Sequence, residues 1–285
     1  MDDTITWAEM LAQVSSALGD EREARWLCEH AAGMTADEFR AAQSELVRTT
    51  VARSLEAMVA RRRGGEPLQY VMRSWAFRRL EVMVDERVLI PRPETETLVE
   101  LALAEVKKRG DSTVVVDLGT GSGVIGLSIA AEAYPQKIEV WLTDDSADAL
   151  DVARANLAGI GRAGSVVRVA EGNWFVALPS ELRGRVQVAV ANPPYIAEGD
   201  IEVEPGVHEW EPHHALYSGA SGLDAIREIV ISAPEWLAPG GVLLMEMGHR
   251  QADAVRALFD SRWSSVVIHQ DLTGRDRFVE ARLGE

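Results

Sequence analysis

Three stretches of the 285-residue chain combine residue types able to do chemistry at useful spacing. One is Asn192-Pro193-Pro194-Tyr195, directly after the apolar run 186–191. Proline lacks an N–H and restricts the residue before it, so two in a row cannot extend a strand. The chain must leave a sheet here in a stiff, extended form. That fixes the Asn192 side chain and the Pro193 carbonyl as two acceptors, with Tyr195 offering a flat face. Two acceptors and an aromatic wall suit a planar –NH₂ group. The plain alternative for this tetrapeptide is a rigid turn with a packed tyrosine.

Another stretch is Asp117-Leu118-Gly119-Thr120-Gly121-Ser122-Gly123. Glycines at alternate positions let the backbone turn sharply and let a ligand approach closely. The loop lies between a predicted strand and a predicted helix, the setting of a nucleotide-type site. It has neither the dinucleotide spacing nor the Gly-Lys-Ser/Thr of a phosphate-binding loop. The last is Asp144, 23 residues beyond Gly121, at the end of the next predicted strand. A carboxylate there can accept from both hydroxyls of a ribose. Asp145 stands beside it, and Asp144 is favoured because it follows the strand directly. The competing role for either is an N-cap of the helix beginning at Ser146.

The elements that must position these groups are legible as periodicities. Trp7, Leu11, Val14 and Leu18 mark one helix face, opened by a Thr6–Glu9 capping box. A second helix carries Ala24, Leu27, Cys28 and Ala31 between an Asp20 cap and a Gly33 stop. Thr35 and Glu38 announce a third, and Val51, Leu55, Met58 and Val59 a fourth. The fourth ends in Arg61-Arg62-Arg63, read as a solvated helix end rather than a phosphate site. Gly64-Gly65-Glu66-Pro67 breaks that helix, and residues 75–84 turn to period two, a hairpin between two domains. A rigid Leu89-Ile90-Pro91-Arg92-Pro93-Glu94-Thr95-Glu96 segment leads into a helix to about Lys108.

From residue 113 strands and helices alternate. Strands are predicted at 114–116, 138–143, 166–169, 186–191 and 242–247, with helices at 124–133, 146–158, 223–237 and 251–260. Apolar runs at 264–269 and 277–283 read as an antiparallel pair. This pattern implies an α/β fold with a largely parallel sheet covered by helices on both faces. The expected domains are a helical bundle at 1–74, a hairpin linker at 75–90 and a catalytic domain at 91–285.

Composition narrows the function. With 47% hydrophobic and 26% charged residues, the chain is globular. No apolar run is long enough for a membrane helix, and the start lacks the pattern of a signal peptide. Cys28 is the only cysteine, so no internal disulfide and no cysteine-based zinc site can form; no metal is expected. A cytoplasmic protein fits. The net charge is −16, of which −13 lies after residue 74. Such a surface repels nucleic acid and attracts a basic partner, or simply keeps the chain in solution.

Together these motifs resemble the HemK-type protein-glutamine methyltransferases that modify peptide chain release factors. The likeness also takes in Gly65-Glu66-Pro67, the segment 89–96, Asn173-Trp174-Phe175, Glu211-Pro212, Glu246, Gly248 and Gln251. It implies a Rossmann-like class I methyltransferase sheet, mostly parallel with its last strand antiparallel, and S-adenosyl-L-methionine as cofactor. Gly119, Thr120, Gly121, Ser122 and Gly123 would hold its methionine part and Asp144 its ribose, with Asn192 also at the cofactor. Trp174 would lie by the adenine, or else be a core aromatic at the sheet's edge. Asn192 and the Pro193 carbonyl would accept hydrogen bonds from the substrate glutamine's amide nitrogen. Pro194 would stiffen that platform, and Tyr195 would pack on the amide. Asn192, Pro193 and Tyr195 are thus the expected catalytic residues.

The implied reaction methylates the glutamine of the Gly-Gly-Gln motif in class-1 release factors. A ribosomal-protein glutamine, or an amino group of DNA, are the alternative substrates. Neither stable nucleic-acid binding nor a membrane is expected. Arg92 either covers the cofactor or substrate or ties the linker to the domain. His208, His213 and His214 read as polar loop residues. The segment 196–221, with Glu198, Asp200, Glu202, Glu204, Glu209 and Glu211, is expected to face a basic surface around the substrate glutamine.

Overall fold

The structure is a computed structural model and describes residues 5–200 and 205–285. The chain divides into two compact units. One runs to Ser74 and includes Pro205–Trp210; the other takes the rest from Trp75. Glu202 and Glu204 lie outside the described residues.

The first unit is helical: α1 (Trp7–Leu18), α2 (Glu21–Ala32), α3 (Ala36–Ala41), α4 (Thr49–Arg63) and α5 (Leu68–Met72). Its helix starts follow the caps in the sequence. Thr6 accepts from the Glu9 amide at 3.3 Å while Glu9 accepts from the Thr6 amide at 2.9 Å. Thr35 and Glu38 repeat that exchange, and Asp20 caps α2. Gly19 and Gly33, at positive φ, end α1 and α2. Trp7, Met10, Val14, Leu27, Phe39 and Leu55 form the core between them. The arginine run is a solvated helix end only at Arg63, which is exposed, whereas Arg61 and Arg62 are half-buried and paired. Arg62 grips Glu23 through two hydrogen bonds, at 2.7 and 2.9 Å. Arg61 pairs with Glu66 and donates to the carbonyls of Tyr70 and Val71. The Gly64-Gly65 turn brings that partner back beneath the helix end, and the short α5 that follows has too few residues to show a period.

The second unit opens with β1 (Ser74–Phe77), which begins on the last residue of the first unit, and β2 (Leu80–Met83), the predicted hairpin. Then come α6 (Glu96–Arg109), β3 (Val114–Leu118), α7 (Val124–Ala133), β4 (Glu139–Asp144), α8 (Ala147–Gly159), β5 (Val167–Glu171) and β6 (Val186–Ala191). The helix Pro205–Trp210 is α9. α10 (His213–Leu216), α11 (Asp224–Trp236), β7 (Leu237–Glu246), α12 (Ala252–Arg256), β8 (Trp263–Gln270) and β9 (Asp276–Leu283) complete the chain.

The sheet order is β5-β4-β3-β6-β7-β9-β8. Strands β3 to β7 are parallel, and β9 runs antiparallel to both β7 and β8. Strands covered on both faces should be apolar throughout, and Val115, Val116, Val188 and Val190 are completely buried. The strand order reverses between β3 and β6, where open α/β sheets bind ligands at the carboxyl edge. β7 starts at Leu237 rather than 242, because its pairing with β6 is irregular between Val186 and Val188 and absorbs the Gly240-Gly241 turn. α12 stops at Arg256 rather than 260. Phe259 packs edge-on to Trp263, which starts β8, with ring centres 5.0 Å apart. Among the described residues no helix is long and apolar enough to cross a membrane.

Candidate active site

The glycine loop is hung between two strand ends. The Thr120 amide donates to the Thr143 carbonyl at 2.9 Å, and the Gly121 amide to Asp144 Oδ2 at 2.8 Å. Gly119, Gly121 and Gly123 have φ of 65°, 55° and 87°, which a side chain would strain. Open space lies where a Gly121 side chain would stand. Beneath the loop Asp117 is fully buried. Its Oδ2 accepts from Thr120 Oγ1 at 2.5 Å and from the Gly126 amide at 2.9 Å. Its Oδ1 is buried and has no hydrogen-bond partner among the described residues. Burial pushes the Asp117 carboxyl up to about 6, and the nearby Asp144 charge adds to the rise. Burial also raises Asp144, against the Ser146 and Gly121 N–H groups that favour its charge. Ser146 caps α8 through its own hydroxyl.

Trp174 lies across this loop. A side chain at Gly119 would sit 2.9 Å from its ring, so the ring rests on bare backbone. Trp174 itself has φ 44°, left-handed for a residue with a bulky side chain, at a cost on the order of 1 kcal/mol. Trp174 packs on the core, as one reading of the sequence had it, and also lines the cavity above the loop.

At the end of β6, Asn192 Nδ2 donates to Thr95 Oγ1 at 3.3 Å. Thr95 donates in turn to Glu246 Oε2 at 2.7 Å, and the Tyr195 hydroxyl to Glu246 Oε1 at 3.0 Å. Glu246 is almost fully buried, and burial raises its pKa. Burial, with Glu246 beside it, raises the Tyr195 hydroxyl too. The Tyr195 carbonyl accepts from Gln251 Nε2 at 2.9 Å, and a side chain at Gly222 would strike that carbonyl oxygen at 2.3 Å.

One cavity brings together Gly119, Thr120, Gly121, Ser122, Asp144, Trp174, Asn192 and Pro194. Gly123, Pro193 and Tyr195 are not in its lining. Gly123 starts α7 against Leu127, and Tyr195 is turned to Glu246. Arg87, Val88, Thr95 and Ala215 also stand in that wall, with no functional signal in the sequence to mark them. Thr95 stood in the quoted segment 89–96 but carried no assigned role. His214 also lines the cavity, close enough to Asp144 to favour its charge. Arg92 does not reach it. Arg92 pairs with Glu211, whose other oxygen accepts from the Ile90 amide at 3.0 Å, so it ties the linker down. Glu211 is therefore buried and not part of an exposed acidic surface, whereas Glu198, Asp200 and Glu209 are exposed.

Residues 5–72 match the family described as PrmC N-terminal domain, and residues 95–207 the one described as Methyltransferase small domain. The chain is 44% identical over 230 residues to a protein of Xylella fastidiosa named release factor glutamine methyltransferase, covering 80% of this chain and 81% of that one. A protein of the same name from Burkholderia pseudomallei is 41% identical over 268 residues, covering 93% and 92%. Among solved structures, a methyltransferase from Pyrococcus furiosus superposes with a TM-score of 0.51 at 16% identity, over 72% of this chain and 90% of that one.

Proposed function

The chain belongs to the release factor glutamine methyltransferase family, and from that membership we propose the reaction and the residues that perform it. The enzyme transfers a methyl group from S-adenosyl-L-methionine to the side-chain amide nitrogen of a release-factor glutamine, that of the Gly-Gly-Gln motif in class-1 factors. It works in the cytoplasm without binding nucleic acid stably.

The residues present fit the cofactor. Asp144 holds the glycine loop from one side and Asp117 lies beneath it, its buried Oδ1 without a partner among the described residues. A carboxylate in the cavity wall, with a second buried beneath the loop, favours a cation. In this reading Gly119, Thr120, Gly121 and Ser122 cradle the methionine part, with Gly123 setting the helix behind them. Asp144 would take the ribose and Trp174 would cover the adenine. Bound there, S-adenosyl-L-methionine supplies a methyl group made electrophilic by a positive sulfur.

The observation that carries the reading is Asn192 in one cavity wall with the glycine loop. A glutamine amide nitrogen is a poor nucleophile because its lone pair is shared with its carbonyl. Asn192 Oδ1 and the Pro193 carbonyl accept from the two N–H groups of the substrate amide. They would draw charge onto nitrogen and fix its orientation within the cavity. Such orientation supplies much of the rate, and acceptors matched to the developing positive charge supply more. The methylated nitrogen sheds its proton to solvent, so no side-chain base is needed. Pro194 stiffens the platform, and Tyr195 packs behind it.

The test is methyl transfer to unmodified class-1 release factor, ribosomal proteins and duplex DNA offered in parallel. Labelled methyl is expected on the release factor. Transfer confined to the ribosomal proteins or to DNA overturns the substrate.

A further inference from the structure

Asn192 can serve as an acceptor only if its amide is turned the right way. The two ends of an asparagine amide have nearly the same shape but opposite hydrogen-bonding character. Thr95 and Glu246 decide between them. Thr95 is 3% exposed and Glu246 1% exposed, so neither has water to turn to. The Thr95 hydroxyl has one proton, which it donates to Glu246 Oε2 at 2.7 Å. It therefore has only lone pairs to offer Asn192, whose Nδ2 lies at 3.3 Å. A hydroxyl that accepts selects the amino half of the amide. Oδ1 is left on the other side, where it takes no hydrogen bond from the described residues. The second oxygen of Glu246 holds the Tyr195 hydroxyl, so one buried carboxylate orients both ends of the tetrapeptide.

We propose that Thr95 and Glu246 are positioning residues that set the amide flip of Asn192, so that Oδ1 rather than Nδ2 faces the substrate. The proposal rests on the reading of Asn192 as an acceptor for a glutamine amide. The flip is also a specificity device. With Oδ1 presented, the site repels a glutamate, whose carboxylate has no N–H to give. With the amide free to turn, Nδ2 can donate to that carboxylate.

Thr95→Val removes the hydroxyl and keeps the shape. With release factor as substrate, kcat should fall about tenfold or more through misorientation of one acceptor. The calorimetric Kd for S-adenosyl-L-methionine should stay within about twofold, because valine keeps the shape of this wall and the lost hydroxyl is engaged with Glu246 and Asn192. A release factor with glutamate in place of the glutamine should inhibit the variant about fivefold or more better, relative to the substrate KM, than it inhibits the wild type. Thr95→Ser restores the hydroxyl and should restore both the rate and the rejection of glutamate. Glu246→Gln, which lets the Thr95 proton point either way, should shift both readouts in the direction of Thr95→Val and stands in if that variant does not fold. Thr95→Ser as damaged as Thr95→Val would assign the effect to packing and overturn the proposal. So would a Thr95→Val enzyme with wild-type rate and glutamate rejection. A wild-type enzyme that leaves the release factor unmodified contradicts the substrate reading itself; transfer that proceeds normally in Thr95→Val contradicts the flip alone.

Discussion

Asp117 is held under opposed demands. Its ordinary pKa is 3.8, and burial pushes it up to about 6 in the free protein. The folded chain therefore binds a proton that the unfolded chain has released, and this group's contribution to stability grows as pH falls from about 6 toward 4. A bound cation reverses the preference, since it favours the ionised form. The Kd for S-adenosyl-L-methionine should thus rise as pH falls below 6, by up to about tenfold per unit. Titration calorimetry between pH 5 and 8 checks it. Asp117→Asn should flatten that dependence; a flat profile in the wild type would remove Asp117 from the account. The motif was legible because glycine, aspartate and proline act through backbone geometry that a sequence displays. The left-handed Trp174 was not legible, because that conformation exists only against the Gly119 backbone.

At the scale of elements, several neighbours hold the segment after β6 in place. Gln251, ahead of α12, grips the Tyr195 carbonyl, and Gly222, just before α11, leaves room for it. Gly222→Ala puts a methyl group where the Tyr195 carbonyl lies and imposes it at φ 70°. A shift of the tetrapeptide by a fraction of an ångström should lower kcat about tenfold. Cofactor affinity should barely change, because Gly222 does not line the cavity. Steady-state kinetics beside cofactor calorimetry separate the two. The parallel strands were legible because burial on both faces makes them continuous apolar runs. The Arg92–Glu211 tie was not, since the partners stand 119 residues apart and share no period. For the same reason Glu211 read as one more surface acid. Arg62 at the end of α4 read as solvated because its partner Glu23 lies two helices earlier.

For the whole molecule, the charge of −16 acts at longer range than any contact. Exposed Glu198, Asp200 and Glu209 follow the tetrapeptide in the chain, and such charge would suit a basic surface on the substrate protein. Encounter steered by such charge is screened by salt, with a Debye length of about 10 Å at 0.1 M. The kcat/KM for intact release factor should fall severalfold between low and moderate salt, whereas a short neutral Gly-Gly-Gln peptide should be nearly indifferent. Charge reversal of those three acids should flatten the difference; an unchanged salt response would separate this surface from substrate binding. The division into two units was legible as a change from helical periods to strand–helix alternation. The inclusion of Pro205–Trp210 with the helical unit was not, because nothing local marks where that segment packs. The proposed reaction depends above all on Asn192 accepting a hydrogen bond from a glutamine amide. The most direct test is the fragment mass spectrum of unmodified release factor incubated with S-adenosyl-L-methionine and either the wild-type protein or Asn192→Ala. One added methyl group is expected on the glutamine of the Gly-Gly-Gln motif with the wild type, and a rate about a hundredfold or more lower with the variant. Methylation at any other residue, or an Asn192→Ala variant that works as well as the wild type, would contradict it.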